Sequence, residues 1–163
     1  MTQTHDRATD PGESSAVSDD PQAASSAVEK WLVAFDRALR AHDEDALREL
    51  FAEDCYWRDF VAFTWNLKTL EGIDEIAAML QAQLPTVDPH DWQLAEPASG
   101  TAENAEAWLN FMTAAGRGWA HLRLVDGRCW TLLTTLQELT GHEEKKGPRR
   151  ELGVTHELSL IHI

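Results

Sequence analysis

The run Asp54-Cys55-Tyr56-Trp57-Arg58-Asp59 gathers carboxylates, a guanidinium and two aromatic rings into one short stretch. On an extended chain successive side chains alternate between faces, so Cys55, Trp57 and Asp59 share one side and Asp54, Tyr56 and Arg58 the other. If Cys55 and Trp57 face a core, Asp59 is carried inward with them. A carboxylate held beside an indole loses hydration, and desolvation is one way a protein makes a working acid or base. Asp59 is therefore the candidate catalytic residue. Trp57, Phe63 and Trp65 would be the apolar walls of its pocket, and Thr131 a hydroxyl reaching in from a later strand. Such an acid would abstract a proton next to a carbonyl. The competing role is structural and weighs more, because an Asp that closes a strand commonly holds a turn or a cap.

Other chemistries have less support. Cys55 and Cys129 sit among apolar neighbours without ligand spacing and read as small core hydrophobes. His142, Glu143 and Glu144 lie in a Lys/Arg-rich stretch and read as solvated charge, so no metal site is expected. No nucleophile elbow, P-loop or zinc pattern is present. The 28 acidic and 14 basic residues give a net charge of -14. That charge repels phosphate backbones and anionic lipids, so neither nucleic acid nor a membrane is an expected partner. The first residues lack a signal peptide's apolar segment, and no run is long and apolar enough to span a bilayer. Together with the unpaired thiols this gives a cytoplasmic expectation.

Several elements must position these residues. Residues 1–26 hold Ser, Thr, Asp, Pro and Ala with Val17 as the one large apolar residue, and read as a disordered acidic leader. Val28, Trp31, Leu32, Phe35 and Leu39 then recur at helical spacing to about Ala41. Asp43 is a natural N-cap for a short second helix using Ala46, Leu47, Leu50 and Phe51. A connecting segment from Phe60 to Glu71 leads to a third helix after Gly72, using Ile73, Ile76, Ala77 and Leu80 and closed by Pro85 and Pro89.

Beyond Pro89 the period falls to two, with strands over 91–95, 105–113, 118–125 and 128–138, which is the pattern of an antiparallel meander. Asp126-Gly127 suits a two-residue hairpin turn that pairs Val125 with Arg128 and, by counting, Arg123 with Trp130 and Leu122 with Thr131. A four-residue loop over 114–117 would set Phe111 opposite Ala120. Leu109, Phe111, Ala120, Leu122, Leu124, Cys129, Thr131 and Leu133 then face the helices. Trp108, Met112, Trp119, His121, Arg123, Trp130 and Leu132 face outward, with Arg123 placed to lie over Trp130. Three indoles on an outer face mark an interface.

The order helix, short helix, strand, helix, meander resembles the nuclear transport factor 2-like, or SnoaL-like, cone fold. The run Leu50-Phe51-Ala52-Glu53-Asp54-Cys55-Tyr56-Trp57-Arg58-Asp59 and the turn Val125-Asp126-Gly127-Arg128 carry that resemblance. It implies an α+β domain over residues 27–140, with helices packed on a curved antiparallel meander. More narrowly, the run from Tyr56 to Gly72 and the stretch Gly141-His142-Glu143-Glu144-Lys145-Lys146-Gly147-Pro148-Arg149-Arg150 are similar to the amino-terminal accessory domain of bacterial flavin-dependent monooxygenases. In those relatives a domain binding FAD and NADPH follows a charged linker. No G-x-G-x-x-G stands in this chain, so neither cofactor is expected on it. Residues 141–163 are then a charged linker and tail cut before any FAD-binding domain. The resemblance implies a noncatalytic accessory domain that meets a second copy or a flavoprotein domain through its outer sheet face. The alternative is a stand-alone isomerase, cyclase or dehydratase acting on a small hydrophobic carbonyl compound inside the cone.

Overall fold

The computed structural model describes residues 19–145. Asp20 accepts the Ala23 amide at 3.0 Å and Pro21 takes the first helical position, so α1 (Pro21–Ala41) starts ahead of the expected leader limit at residue 26. Its inward stripe already includes Ala24 and continues through Val28, Trp31, Leu32, Phe35 and Leu39. Val17 and the first eighteen residues lie outside the described residues, as do Gly147 to Arg150 and the tail to Ile163. The N-cap expected at Asp43 is present, accepting from the Ala46 amide at 3.0 Å to open α2 (Glu44–Leu50). The indole N–H of Trp31 donates to the Leu50 carbonyl at 3.0 Å and ties the two helices together.

Then follow β1 (Phe51–Phe60), β2 (Leu67–Glu71), α3 (Gly72–Val87), β3 (His90–Leu94), β4 (Ser99–Gly100), β5 (Ala105–Met112), β6 (Gly116–Val125) and β7 (Arg128–Leu139). The segment expected to be a connection contains β2, which returns antiparallel along β1. Pro85 sits in the last turn of α3 without ending it, and the helix closes at Asp88 with a left-handed backbone.

One seven-stranded, curved sheet results, ordered β2-β1-β7-β6-β5-β3, with β4 on β5. The α+β class is as expected, but the sheet is mixed, not an antiparallel meander throughout. β5, β6 and β7 form antiparallel hairpins, whereas β1 lies parallel to β7. Parallel pairing needs a long crossover, here the whole chain between β1 and β7.

Two registers differ from expectation. Phe111 faces Gly118, not Ala120, because Thr113 and Gly116 exchange backbone hydrogen bonds and tighten the loop. Gly118 gives the Phe111 ring its space: a Cβ there would stand 2.3 Å from the ring. This shift is even, so faces are preserved. Between β6 and β7 the turn pairs Val125 with Arg128 and Leu124 with Cys129 as expected, but Arg123 then faces Thr131. Trp130 is the extra residue of a β-bulge, and every later side chain changes face. Leu132 and Thr134 are therefore the buried residues, while Thr131 and Leu133 turn to the other side and are half-buried.

Rings fill the space between helices and sheet. Phe35 contacts Trp92 at 5.3 Å, Trp92 stacks on Phe111 at 4.3 Å, and Trp57 meets Phe63 at 5.0 Å. These are ordinary aromatic packing distances, and they leave Trp57, Phe35 and Phe63 with no solvent-exposed surface.

Candidate functional site

Strand alternation carries Cys55, Trp57 and Asp59 inward as expected, and all three are buried. The Asp59 carboxylate ends β1 where the backbone reverses. Oδ1 accepts the Ala62 and Phe63 amides at 3.2 Å and the Thr134 hydroxyl at 2.8 Å. Oδ2 accepts the Phe63 and Thr64 amides at 3.0 and 2.7 Å and the Thr64 hydroxyl at 2.8 Å. Thr134 Oγ1 receives the Trp57 indole N–H at 2.8 Å, so Trp57, Thr134 and Asp59 form one buried chain of donors and acceptors. Three backbone amides and two hydroxyls take up the lone pairs, which satisfies the carboxylate and locks the turn.

This is the structural role weighed in the sequence: Asp59 clamps its own turn. An acid or base must have an oxygen that substrate can reach, and Asp59 has no exposed surface. The expected pocket divides in the same way. Trp57 and Phe63 are buried beside Asp59 as packing, whereas Trp65 is 60% exposed and points away from the cone. Thr131 lies across the bulge on the other sheet face, and the hydroxyl that reaches Asp59 from β7 is that of Thr134. The backbone of the turn is strained to fit this clamp, with Val61 and Trp65 at φ 56° and 53°.

The two thiols lie in the core, unpaired. Burial pushes the Cys129 thiol well above its ordinary range, with Cys55 close enough to add to the effect.

On the outer face the expected indoles are present. Trp108 and Trp119 remain 42% and 46% exposed, and Trp130 and Met112 are half-buried. Arg123 lies over the Trp130 ring at 4.9 Å, so the bulge leaves that indole on the outer side. Glu106 joins the patch, ion-paired with Arg123 Nε at 3.3 Å and contacting His121 Nε2 at 3.0 Å. His121 packs its ring on Trp108 at 4.5 Å. The polar groups are thus paired among themselves while two indoles stay uncovered. Trp108, Trp119 and Leu109 line a depression of about 370 Å³.

The family model of the SnoaL-like domain matches residues 32–132. The chain belongs to that family. No curated protein matches it. Among solved structures, a domain of unknown function with a cystatin-like fold from Nostoc punctiforme superposes on this SnoaL-like domain with a TM-score of 0.56 at 17% identity, covering 71% of this chain and 78% of its own. A provisionally named ketosteroid isomerase from Kribbella flavida gives 0.50 at 14% identity, covering 79% and 97%. A nuclear transport factor 2-like protein of unknown function from Mesorhizobium loti gives 0.49 at 21% identity, covering 69% and 93%. At these identities the first two likenesses show the fold alone: helices on a curved, mixed sheet. No helix among the described residues is long and apolar enough to cross a membrane.

Proposed function

We propose that this SnoaL-like domain is a noncatalytic association module that pairs with a second copy through the outer sheet face. The observation that carries this reading is the contrast between the satisfied Asp59 and the uncovered indoles of Trp108 and Trp119. Large exposed rings beside paired polar groups are the usual composition of an interface centre. The finer role is that of accessory domain to a flavin-dependent monooxygenase, supported by the run from Tyr56 to Gly72. Among the described residues no glycine-rich strand-to-helix turn is placed to hold the pyrophosphate of FAD or NADPH. Gly116-Arg117-Gly118 begins β6 and opens no helix whose N-terminus could hold a pyrophosphate. Oxygenation chemistry would therefore belong to a separate flavoprotein domain, and mixing this chain with FAD should leave flavin fluorescence unchanged. The isomerase, cyclase or dehydratase alternative would need an acid open to the cone, and Asp59 is closed by its own turn. Sedimentation tests the main reading: Trp119→Ser should convert an oligomer into a monomer, and an unchanged mass would reject this face as the contact.

A further inference from the structure

The strand β2 forms one margin of the sheet, and among the described residues no strand lies beyond it. One hydrogen bond fixes its backbone directions. Val61 N–H donates to the Asn66 carbonyl at 3.1 Å, in the register that pairs Phe60 with Leu67. Directly bonded pairs alternate along an antiparallel ladder, so Lys68 and Leu70 bond to β1 while Leu67, Thr69 and Glu71 turn their N–H and C=O groups outward. The chain caps two of these three donors. Asn66 Oδ1 accepts the Leu67 N–H at 2.8 Å, and Glu75 Oε2 accepts the Glu71 N–H at 3.0 Å. Thr69 lies exposed between them, and no group of the described residues takes up its N–H or C=O.

Side-chain alternation decides what flanks that open position. Lys68 and Leu70 point to the α3 side, where Ala78, Met79 and Ala82 line a groove of about 540 Å³. Leu67 shares the outer side with Thr69 and is 65% exposed, next to the exposed Trp65 of the turn that Asp59 clamps.

We propose that β2 receives an extended peptide as an added antiparallel strand centred on Thr69. The residue opposite Thr69 would exchange two backbone hydrogen bonds with it, and the residue opposite Leu67 would donate a third to the Leu67 carbonyl. The residues opposite Lys68 and Leu70 would enter the groove, whose small and apolar walls suit valine-sized side chains. A large apolar residue would cover Leu67, and a lysine would meet Glu71 on a chain of net charge -14. A second copy fits this edge less well. Twofold pairing about Thr69 would set Leu67 against Glu71 of the second copy, whose N–H is already held by Glu75, so the third bond is lost. Trp108 and Trp119 lie on β5 and β6, with β1 and β7 between, and the proposal does not depend on association there.

The probe is the peptide Ser-Lys-Val-Thr-Val-Phe-Ser labelled with fluorescein at its amino terminus, its threonine set opposite Thr69 of the full chain. Its anisotropy should rise saturably with the ¹⁵N-labelled protein, and the Thr69 amide resonance should move with the same midpoint. N-methylation of the peptide's threonine deletes the N–H given to Thr69 and should weaken binding about tenfold, whereas N-methylation of the following valine, whose N–H points away, should change it less than about threefold. Thr69→Pro deletes the outward N–H at an edge position that tolerates proline and should also weaken binding about tenfold. Ala82→Arg, which fills the groove from an exposed helix position, should do the same and serves if Thr69→Pro does not fold. Absence of saturation up to about 1 mM peptide would overturn the proposal. So would equal losses from the two N-methylated peptides, a response centred on Trp108 and Trp119, or undiminished binding by either variant. A Thr69→Pro chain that sediments as a smaller species than the parent would overturn it too, by giving this edge to a second copy.

Discussion

Trp57 and Trp119 stand on opposite faces of the same sheet. Trp57 is enclosed by Phe35, Phe51 and Phe63 and donates its N–H to Thr134, whereas Trp119 keeps 46% of its surface open beside an equally uncovered Trp108. On the inner face every ring has a ring against it and the buried carboxylate has its donors. On the outer face the charges are paired and the rings are not. Burial of a polar group is therefore a poor guide to chemistry in this domain, because among the described residues Asp59 is the most deeply buried carboxylate and is fully hydrogen-bonded. What remains unspent at each place, a lone pair or an open ring face, is the better guide.

Four measurements would break or sharpen that contrast. The largest effect is expected for Asp59→Ala, which strips the acceptor from buried amides of the turn and from Thr134, and should cost about 3–5 kcal/mol in urea unfolding. A loss under about 1 kcal/mol would reject the clamp. Thr134→Val leaves the Trp57 N–H and one Asp59 oxygen short of a partner and should cost about 1–2 kcal/mol, against less than about 0.5 for Thr131→Val on the other side of the bulge. Equal costs would mean that the bulge at Trp130 is misplaced.

The third concerns pH. The buried Cys129 holds its proton well above the ordinary thiol range, while the same thiol in the unfolded chain releases it near about pH 8.5. The folded state thus binds more protons at high pH. Stability should be level below that pH and fall above it, by about 1 kcal/mol over the next pH unit, and Cys129→Ala should flatten the decline. Smallest of all, Trp119→Ser should leave monomer stability within about 0.5 kcal/mol of the parent even as it changes the sedimenting mass. A large stability loss would place that indole in the core's account instead of the interface's.

Local patterns in the sequence carried the inner face a long way. Period-two alternation placed Cys55, Trp57 and Asp59 inside, and Asp126-Gly127 set the first pairs of the last hairpin, because both signals act over a few residues. The bulge at Trp130 left no such signal. In Thr131-Leu132-Leu133-Thr134-Thr135 a slip by one residue swaps leucine for leucine and threonine for threonine, so hydrophobicity cannot choose between registers. Hence Thr131 was expected where Thr134 stands. The strand Leu67–Glu71 was missed because only Leu70 of its residues is buried, as befits an edge. The holding of Asp59 by its own turn was visible as the competing structural role. The Thr134 donor came from the far end of the chain, beyond any local rule.

The parallel seam between β1 and β7 also governs the order of assembly. Trp57 and Thr134 are 77 positions apart. On a ribosome the hairpin of β1 and β2 emerges long before the strand that must cover its open edge. Contacts of such high sequence separation fold slowly and leave apolar edges open to other chains in the meantime. The nascent amino-terminal half is thus the stage at which this protein is most exposed to aggregation, and the stage at which a chaperone would have the most to hold.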